Sequence, residues 1–232
     1  MLRDDVLAAL ATVRDPELDE PLTELGFVTS CEVSVVGEVT VRLRLPTFFC
    51  AANFAFLMVA DAYDAVSGVP GVSHTEVLLD DHFASEQING GVAANAGFGA
   101  TFGALAAGEL DELRQDFLRK AVLAGTDRVC RPLARGLTPE QVVALRLGDA
   151  PDTFDRERLR ARRAELNLPA GDDDPLLVDP VTGDRIAADA LSPHLGRARL
   201  TRLSLEVNGG ICRGMLRERY ATAGVGETAD QR

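Results

Sequence analysis

Residues 38–58 of this 232-residue chain, EVTVRLRLPTFFCAANFAFLM, join a predicted strand to a predicted helix through a very short loop. Valine and leucine at the odd positions from 39 to 45 alternate with polar residues, which is the pattern of a strand with one buried face. Pro46 ends that strand, and an alanine-rich stretch with helical spacing of its apolar residues runs from Cys50 to about Val66. We therefore predict the order strand, loop with Cys50, helix.

The segments on either side complete a compact unit. We predict a helix over residues 2–13, a strand over 32–36 that turns at Gly37-Glu38 into the strand described above, and a third strand over 72–79. The resulting order is α-β-β-α-β within residues 2–83. This order predicts an α/β fold, of the α+β two-layer kind, in which helices cover one face of a small sheet.

The composition and the predicted secondary structure of the chain change after residue 83. Residues 84–170 are predicted to form a Gly/Ala-rich linker followed by a helical extension, with one helix starting at Thr138-Pro139. Residues 171–220 are predicted to form a small β-containing C-terminal region with a hairpin around Asn208-Gly209-Gly210. Residues 221–232 have the composition of a disordered tail.

The charge is unevenly distributed along the sequence. The net charge is −12, and residues 1–110 carry sixteen acidic and four basic residues, whereas residues 111–232 carry twenty of each. An acidic first half argues against a nucleic-acid partner and suits a basic protein partner. No run of the sequence reaches the ~18 apolar residues of a membrane-spanning helix, and the start does not resemble a signal peptide. We therefore expect a cytoplasmic protein without a membrane partner.

The four cysteines stand at positions 31, 50, 130 and 212 and form no C-x-x-C pair, so a closed four-cysteine metal site within one chain is not expected. Cys50 is predicted to start a helix, where unpaired N–H groups and the helix dipole favour the thiolate. Cys31 is predicted to start a strand, Cys130 to lie beside a helix end, and Cys212 to lie in the late hairpin. We expect Cys50 to be the one cysteine required for function, the alternative being a buried core cysteine.

Familiar catalytic motifs are absent from the sequence. There is no Walker-type phosphate loop and no nucleophile elbow. His74, His82 and His194 lack metal-ligand spacing, and His82 is expected to be a surface residue. An enzyme that used Cys50 as its nucleophile would therefore lack an assignable histidine base, and we predict that the protein is not an enzyme.

A set of short motifs carries a resemblance to a known family. In chain order they are Asp15-Pro16-Glu17, Leu25-Gly26, the hairpin, Thr47-x-x-Cys50 and Gly68-Val69-Pro70-Gly71-Val72. With this order, residues 2–83 resemble the iron–sulfur assembly domain of the PaaD-like metal–sulfur cluster assembly family. The motifs are moderately specific in combination and weak singly.

The resemblance implies a factor that delivers iron–sulfur clusters to client enzymes or inserts them. It implies that Cys50 is the cluster-binding or metal-binding residue, supported by Thr47, Asp15 and Glu17. The implied cargo is a transient iron–sulfur cluster or iron, and the implied partners are a client metalloenzyme and cluster-assembly proteins. Because one chain offers one such thiol and clusters commonly take four cysteine ligands, a bound cluster is expected to be labile and to bridge two molecules, as in a homodimer.

The stretch from Asp81-His82-Phe83 through the predicted helix at Leu113–Leu123 is similar to extended members of this family that are associated with bacterial multicomponent diiron monooxygenases. That similarity implies a monooxygenase client, selected by the extension. One alternative stays open: a metal-free interaction chaperone for a monooxygenase component, in which Cys50 is structural.

Overall fold

The computed structural model of the chain describes residues 2–103 and 109–221. Its helices and strands follow in the order α1 (Leu2–Leu10), α2 (Leu22–Leu25), β1 (Val28–Val33), β2 (Glu38–Arg44), α3 (Ala52–Ser67), β3 (His74–Asp80), α4 (Ser85–Ala93), α5 (Phe98–Phe102), α6 (Glu109–Leu133), α7 (Pro139–Ala144), α8 (Phe154–Glu165) and α9 (Leu191–Ala221). The tail predicted to be disordered lies, from residue 222 onward, outside the described residues.

The three strands form one mixed sheet in the order β1-β2-β3. β1 runs antiparallel to β2, and β2 runs parallel to β3 because α3 carries the chain back between them. The predicted α-β-β-α-β order and the α/β class of this part are therefore confirmed. The parallel pairing brings the carboxyl ends of β2 and β3 to the same edge of the sheet, so the loop with Cys50 and the segment after Asp80 are neighbours.

The core of this part lies between the sheet and its helices. The residues predicted to alternate on β2 do so, because Val39, Val41 and Leu43 are buried and the residues between them are more exposed. They share one apolar cluster with buried side chains of α1, α3 and α4. Burial of apolar surface contributes about 25 cal/mol per Å² to the free energy of folding, so this cluster is the main contribution to the stability of the sheet.

The hairpin turn differs from the prediction. β1 ends at Val33 and β2 begins at Glu38, so the turn spans residues 34–37 and not Gly37-Glu38 alone. Gly37 adopts a positive φ of 86°. A Cβ atom there would lie 2.3 Å from the carbonyl oxygen of Gly71. Contact with a distant segment, and not the turn type alone, therefore requires glycine at this position.

The start of the Gly/Ala-rich region packs on the sheet and on α3. The Asn89 side chain pairs with the backbone N–H and carbonyl of Leu79, at distances of 2.8 and 3.2 Å. The Phe56 ring contacts the rings of Phe98 and Phe102. Helices α4 and α5 are thus held by specific contacts to the first part of the chain. The boundaries predicted at residues 83, 170 and 220 stay a prediction.

The chain divides into two compact units. The described residues 2–112 and 208–221 form the first, and Leu113–Val207 form the second. The second unit is mostly helical, and its core includes Leu147, Leu159 and Leu176. Its predicted helix start at Thr138-Pro139 is confirmed by a capping box between Thr138 and Gln141. Within the described parts of the chain, no helix is both long and apolar enough to cross a membrane.

The predicted small β-containing C-terminal part is wrong. Residues 171–187 contain isolated bridges such as Val178 with Arg185, but no strand follows β3 in the described part of the chain. The residues predicted to turn around Asn208-Gly209-Gly210 lie inside α9. Gly209 is buried, and a Cβ atom there would lie 2.8 Å from Oε1 of Glu20. This glycine therefore permits a close approach between helix and loop.

Candidate functional site

Cys50 lies in the loop between β2 and α3. The first helical residue is Ala52 and the N-cap is Ala51, so the cysteine precedes the helix by two residues and does not open it. Its side chain is half-buried, and its Sγ lies 3.2 Å from Oγ1 of Thr47. The hydroxyl of Thr47 can donate a hydrogen bond to the sulfur. The structure thus brings together two of the predicted site residues, Cys50 and Thr47.

His82 is a neighbour of Cys50 that the sequence did not identify. It follows β3, is 4% exposed, and its Nε2 lies 2.8 Å from the carbonyl oxygen of Cys50. Its Nδ1 accepts a hydrogen bond from the N–H of Ala84, so Nε2 carries the hydrogen and donates to Cys50. Burial lowers the pKa of His82, consistent with this neutral form. The expectation that His82 is a surface residue was wrong. The parallel pairing of β2 with β3 could have predicted its contact with Cys50, because that pairing makes the segments after the two strands neighbours.

The acidic loop after α1 holds the other two predicted residues. Asp15 is buried, and its Oδ1 accepts hydrogen bonds of 2.9 Å from the backbone N–H groups of Glu17 and Leu18. Burial raises the pKa of Asp15 from 3.8 to about 6, although those two hydrogen bonds oppose the shift. Glu17 is half-buried beside it. The loop therefore holds a carboxyl group that is costly to ionise.

The pKa of Asp15 predicts a pH-dependent stability. Because its folded pKa of about 6 exceeds the ordinary 3.8, the folded chain gains stability as the pH falls from about 6 to about 4 and loses it as the pH rises. Asp15→Asn keeps the accepting oxygen but removes the charge. We expect Asp15→Asn to raise the free energy of unfolding at pH 8 by about 3 kcal/mol, and to change it little at pH 4. Urea unfolding at both pH values measures this.

The exposed Glu24, changed to Gln, is the control and should leave the pH profile of unfolding unchanged. If the Asp15→Asn protein and the wild type lose stability equally between pH 4 and pH 8, Asp15 is not the group responsible.

The end of α9 contacts several of the segments around Cys50. We call residues 208–221, which belong to the first unit, the C-terminal helix segment. Arg213 forms an ion pair with Glu20 in the acidic loop. Arg219 donates to the carbonyl oxygens of Leu45, just after β2, and of Asp81, just after β3, at 3.0 and 2.7 Å. The segment therefore touches the acidic loop and both strand ends that flank Cys50.

Cys212 lies on this segment, beside Arg213. It is half-buried and packs against the same apolar cluster as Cys50. Burial, together with the charges of Asp15, Cys50 and Glu17, raises its pKa to about 11. The placement of Cys212 in a late hairpin was wrong. Cys212 therefore lies on the helix segment whose Arg213 contacts the acidic loop.

The remaining two thiols are enclosed. Cys31 is 8% exposed in β1 and Cys130 is fully buried in α6. Burial raises the pKa of both, to about 11 for Cys130. All four cysteines are free thiols. Cys50 and Cys212 are therefore the two that a ligand can reach without opening a core.

Three exposed phenylalanines flank Cys50. Phe48, Phe49 and Phe83 are 41%, 78% and 52% exposed. The rings of Phe49 and Phe83 stack at 6.2 Å, and Phe48 meets Phe49 edge-on at 5.0 Å. We call these three residues the aromatic patch. Adjacent exposed aromatic rings are typical of surfaces that bind another protein.

The donor atoms around Cys50 do not form a closed metal site. In the described ranges, no three side chains of His, Cys, Asp or Glu are grouped closely enough to hold a metal ion. Thiolates are nevertheless the preferred ligands of iron in iron–sulfur clusters. An ion or cluster bound here would need further ligands of its own or from a partner.

Comparisons with known proteins find relatives of the first third of the chain. Residues 3–79 match the family described as iron–sulfur cluster assembly protein. An uncharacterized protein of Methanocaldococcus jannaschii is 32% identical over 87 residues, which are 38% of this chain and 90% of that protein. A Fe-S protein maturation auxiliary factor of Porphyromonas gingivalis is 36% identical over 70 residues, 30% of this chain and 67% of the factor.

A third relative is much longer than the matched region. The iron–sulfur cluster carrier protein of Mycobacterium leprae is 37% identical over 79 residues, which are 34% of this chain and 20% of the carrier. The chain thus spans about a fifth of that relative. Taken with the fold of residues 2–83 and the Cys50 loop, these matches show that the chain belongs, through its N-terminal third, to the iron–sulfur cluster assembly protein family.

Proposed function

We propose that this protein is a non-enzymatic maturation factor that holds an iron–sulfur cluster or iron at Cys50 and passes it to a client metalloenzyme. The observation that carries the proposal is the half-buried Cys50 thiol beside the Thr47 hydroxyl, inside a domain of the iron–sulfur assembly family. The loop offers a metal one thiol and no complete set of ligands. Such a site suits an iron–sulfur cluster or iron that is bound and then transferred.

The surroundings of Cys50 support a carrier and not a thiol enzyme. A nucleophilic cysteine needs a base within hydrogen-bond reach of its sulfur. Both ring nitrogens of His82 engage backbone groups, the carbonyl of Cys50 and the N–H of Ala84. His82 therefore orients the Cys50 backbone, while Thr47 contacts the sulfur.

We further propose that the client is a component of a multicomponent diiron monooxygenase, and that upstream cluster-assembly proteins load this factor. The proposal of a monooxygenase client rests on the resemblance of the stretch from Asp81 to Leu123 to extended family members. The aromatic patch beside Cys50 supports a partner that approaches the thiol itself. The acidic first half of the chain suits a basic surface on that partner.

The aromatic patch also favours a second candidate, a chaperone that binds the monooxygenase component without carrying metal. Iron and acid-labile sulfide analysis after anaerobic reconstitution separates the two. A carrier binds both iron and sulfide and releases iron to a chelator. A protein that still binds its client after reconstitution, but holds no iron, would be the chaperone.

Removal of two rings of the aromatic patch should weaken client binding without changing metal loading. We expect Phe49→Ala with Phe83→Ala to weaken binding to the monooxygenase client at least about tenfold, because exposed aromatic anchors dominate interface energies. Iron content should not change, because neither ring is a metal ligand. A pull-down with the client and an iron assay measure both quantities.

Val36→Ala is the matched control, because Val36 is also exposed, at 65%, but lies in the hairpin turn. Equal client binding by the double variant and this control would rule out the patch as the client surface.

A further inference from the structure

A cleft of about 420 Å³ lies in the first unit, between the C-terminal helix segment and residues of α2, β1 and β2. Leu25, Leu216 and the ring of Tyr220 give it an apolar lining, and three arginines give it polar groups. Pockets of roughly 300–1,000 Å³ with mainly apolar walls and a few convergent polar groups are typical of small-molecule sites. The cleft therefore has the size and the lining of such a site.

Specific contacts join the two walls of this cleft. Leu216 lies over Gly26, where an added Cβ atom would be 3.5 Å from the Leu216 side chain. The guanidinium group of Arg44, at the end of β2, lies 4.8 Å from the centroid of the Tyr220 ring. The Tyr220 hydroxyl donates a hydrogen bond of 3.0 Å to Asp81. These contacts fix the position of the C-terminal helix segment beside the strands.

The three arginines of the cleft differ in their partners. Arg213 forms an ion pair with Glu20. Among the residues that the structure describes, the guanidinium groups of Arg44 and Arg217 have no hydrogen-bond or ion-pair partner. The Nε atom of Arg44 is in addition buried. Because a buried donor without an acceptor costs free energy, a ligand that brings an acceptor to Arg44 gains affinity there.

The charges that line the cleft match a ligand with one negative charge. Arg44 and Arg217 bring two positive charges, and the exposed Glu24 brings one negative charge, which leaves one positive charge. Arg213 is neutralised by its partner Glu20. This local excess of positive charge occurs in a chain whose net charge is −12. Guanidinium groups bind carboxylates through paired, charge-assisted hydrogen bonds.

We infer that this cleft binds a small carboxylate with an apolar body, whose carboxylate pairs with Arg44 and Arg217 and whose apolar part packs against Leu25 and Leu216. A phosphate ion would leave the apolar walls uncovered, and its second charge would exceed that of the cleft. Residues 3–79 match the family, and the C-terminal helix segment that supplies Arg217 and Leu216 lies outside them. The site thus belongs to the whole first unit, and it is independent of the proposed carrier function.

Hexanoate is the probe, and fluorine NMR of the full-length protein is the measurement. The chain contains two tyrosines, Tyr63 and Tyr220, so labelling with 3-fluorotyrosine gives two signals, and the variant Tyr63→Phe identifies the signal of Tyr220. Hexanoate should shift the Tyr220 signal saturably and leave the signal of Tyr63, which lies on α3, unchanged. Acetate lacks the apolar chain and 1-hexanol lacks the charge. Each should bind at least about tenfold more weakly than hexanoate at the same ionic strength.

Single variants test which arginines hold the carboxylate. Arg44→Gln should weaken hexanoate binding at least about tenfold, because it removes a charged donor. Arg217→Gln should weaken it about threefold, because the Arg217 side chain is exposed. Arg42→Gln is the matched control and should bind hexanoate like the wild type. Arg42 lies on the same strand as Arg44, but it pairs with Asp80 at 2.8 Å and does not line the cleft.

Several outcomes would overturn the inference. One is a Tyr220 signal that hexanoate does not shift, and another is binding of 1-hexanol as tight as that of hexanoate. Tighter binding of inorganic phosphate would show that the class of ligand is wrong. Equal affinities of Arg44→Gln and Arg42→Gln would exclude Arg44 as the anchor of the carboxylate. If Arg44→Gln does not fold, Arg217→Gln takes its place in this comparison, and affinity equal to that of the control would then overturn the site.

Discussion

Replacing Cys50 with serine is expected to reduce iron and sulfide in the reconstituted protein to the level of a protein-free control. The hydroxyl of serine is a much harder and less acidic ligand than a thiol, so it cannot take over a bond to iron in a cluster. The fold should persist, because Cys50 is half-buried in a loop and serine preserves its size. Iron and sulfide per chain, with the circular dichroism melting curve, measure both effects.

Thr47→Val is expected to have an intermediate effect on iron retention. It removes the hydroxyl that lies 3.2 Å from the Cys50 sulfur but leaves the thiol in place. We expect weaker iron retention than in the wild type and stronger retention than in Cys50→Ser. If Cys50→Ser retains iron and sulfide at the wild-type level, Cys50 does not hold the cargo and the proposed carrier site is wrong.

Replacing Arg163 with methionine is expected to cause the largest loss of stability in the second unit. The Arg163 side chain is fully buried, and burial lowers its pKa to about 10, so it stays charged at neutral pH. Its guanidinium donates to the carbonyl oxygens of Pro169, Pro175 and Leu176. Methionine would fill part of the volume but leave those carbonyls without their donor. We expect a loss of about 3–5 kcal/mol in the free energy of unfolding.

Arg160→Met on the same helix is the matched control. Arg160 pairs with Asp172, which is itself exposed, and such a pair contributes at most about 1 kcal/mol. Urea unfolding followed by circular dichroism compares the two variants. Equal losses would mean that the carbonyl oxygens around Arg163 find other donors, such as water, after the substitution.

Features set by neighbouring residues could be predicted from the sequence. The alternation before Pro46 predicts β2 because it depends only on which side chains face the core. The capping box of Thr138 and Gln141 likewise depends on residues three positions apart. The family motif at Thr47-x-x-Cys50 is local as well, and the structure places its two side chains in contact.

Two glycines were interpreted wrongly or incompletely from the sequence, because a distant segment determines why each position is glycine. Asn208-Gly209-Gly210 has the composition of a hairpin turn, yet it lies within α9, where Gly209 leaves room for the side chain of Glu20. Gly37 is needed as much for the carbonyl of Gly71 as for its own turn. Neither distant partner is visible in a short window of sequence.

The sequence by itself determined the α-β-β-α-β unit and the loop that carries Cys50, because local periodicity and turn chemistry specify them. Only the tertiary structure placed His82 on the Cys50 backbone, through the parallel pairing of β2 with β3. It alone brought Arg213 of the C-terminal helix segment to Glu20 of the acidic loop. These contacts join residues distant in the chain, and their free energy depends on how the elements pack rather than on the local preferences of either residue.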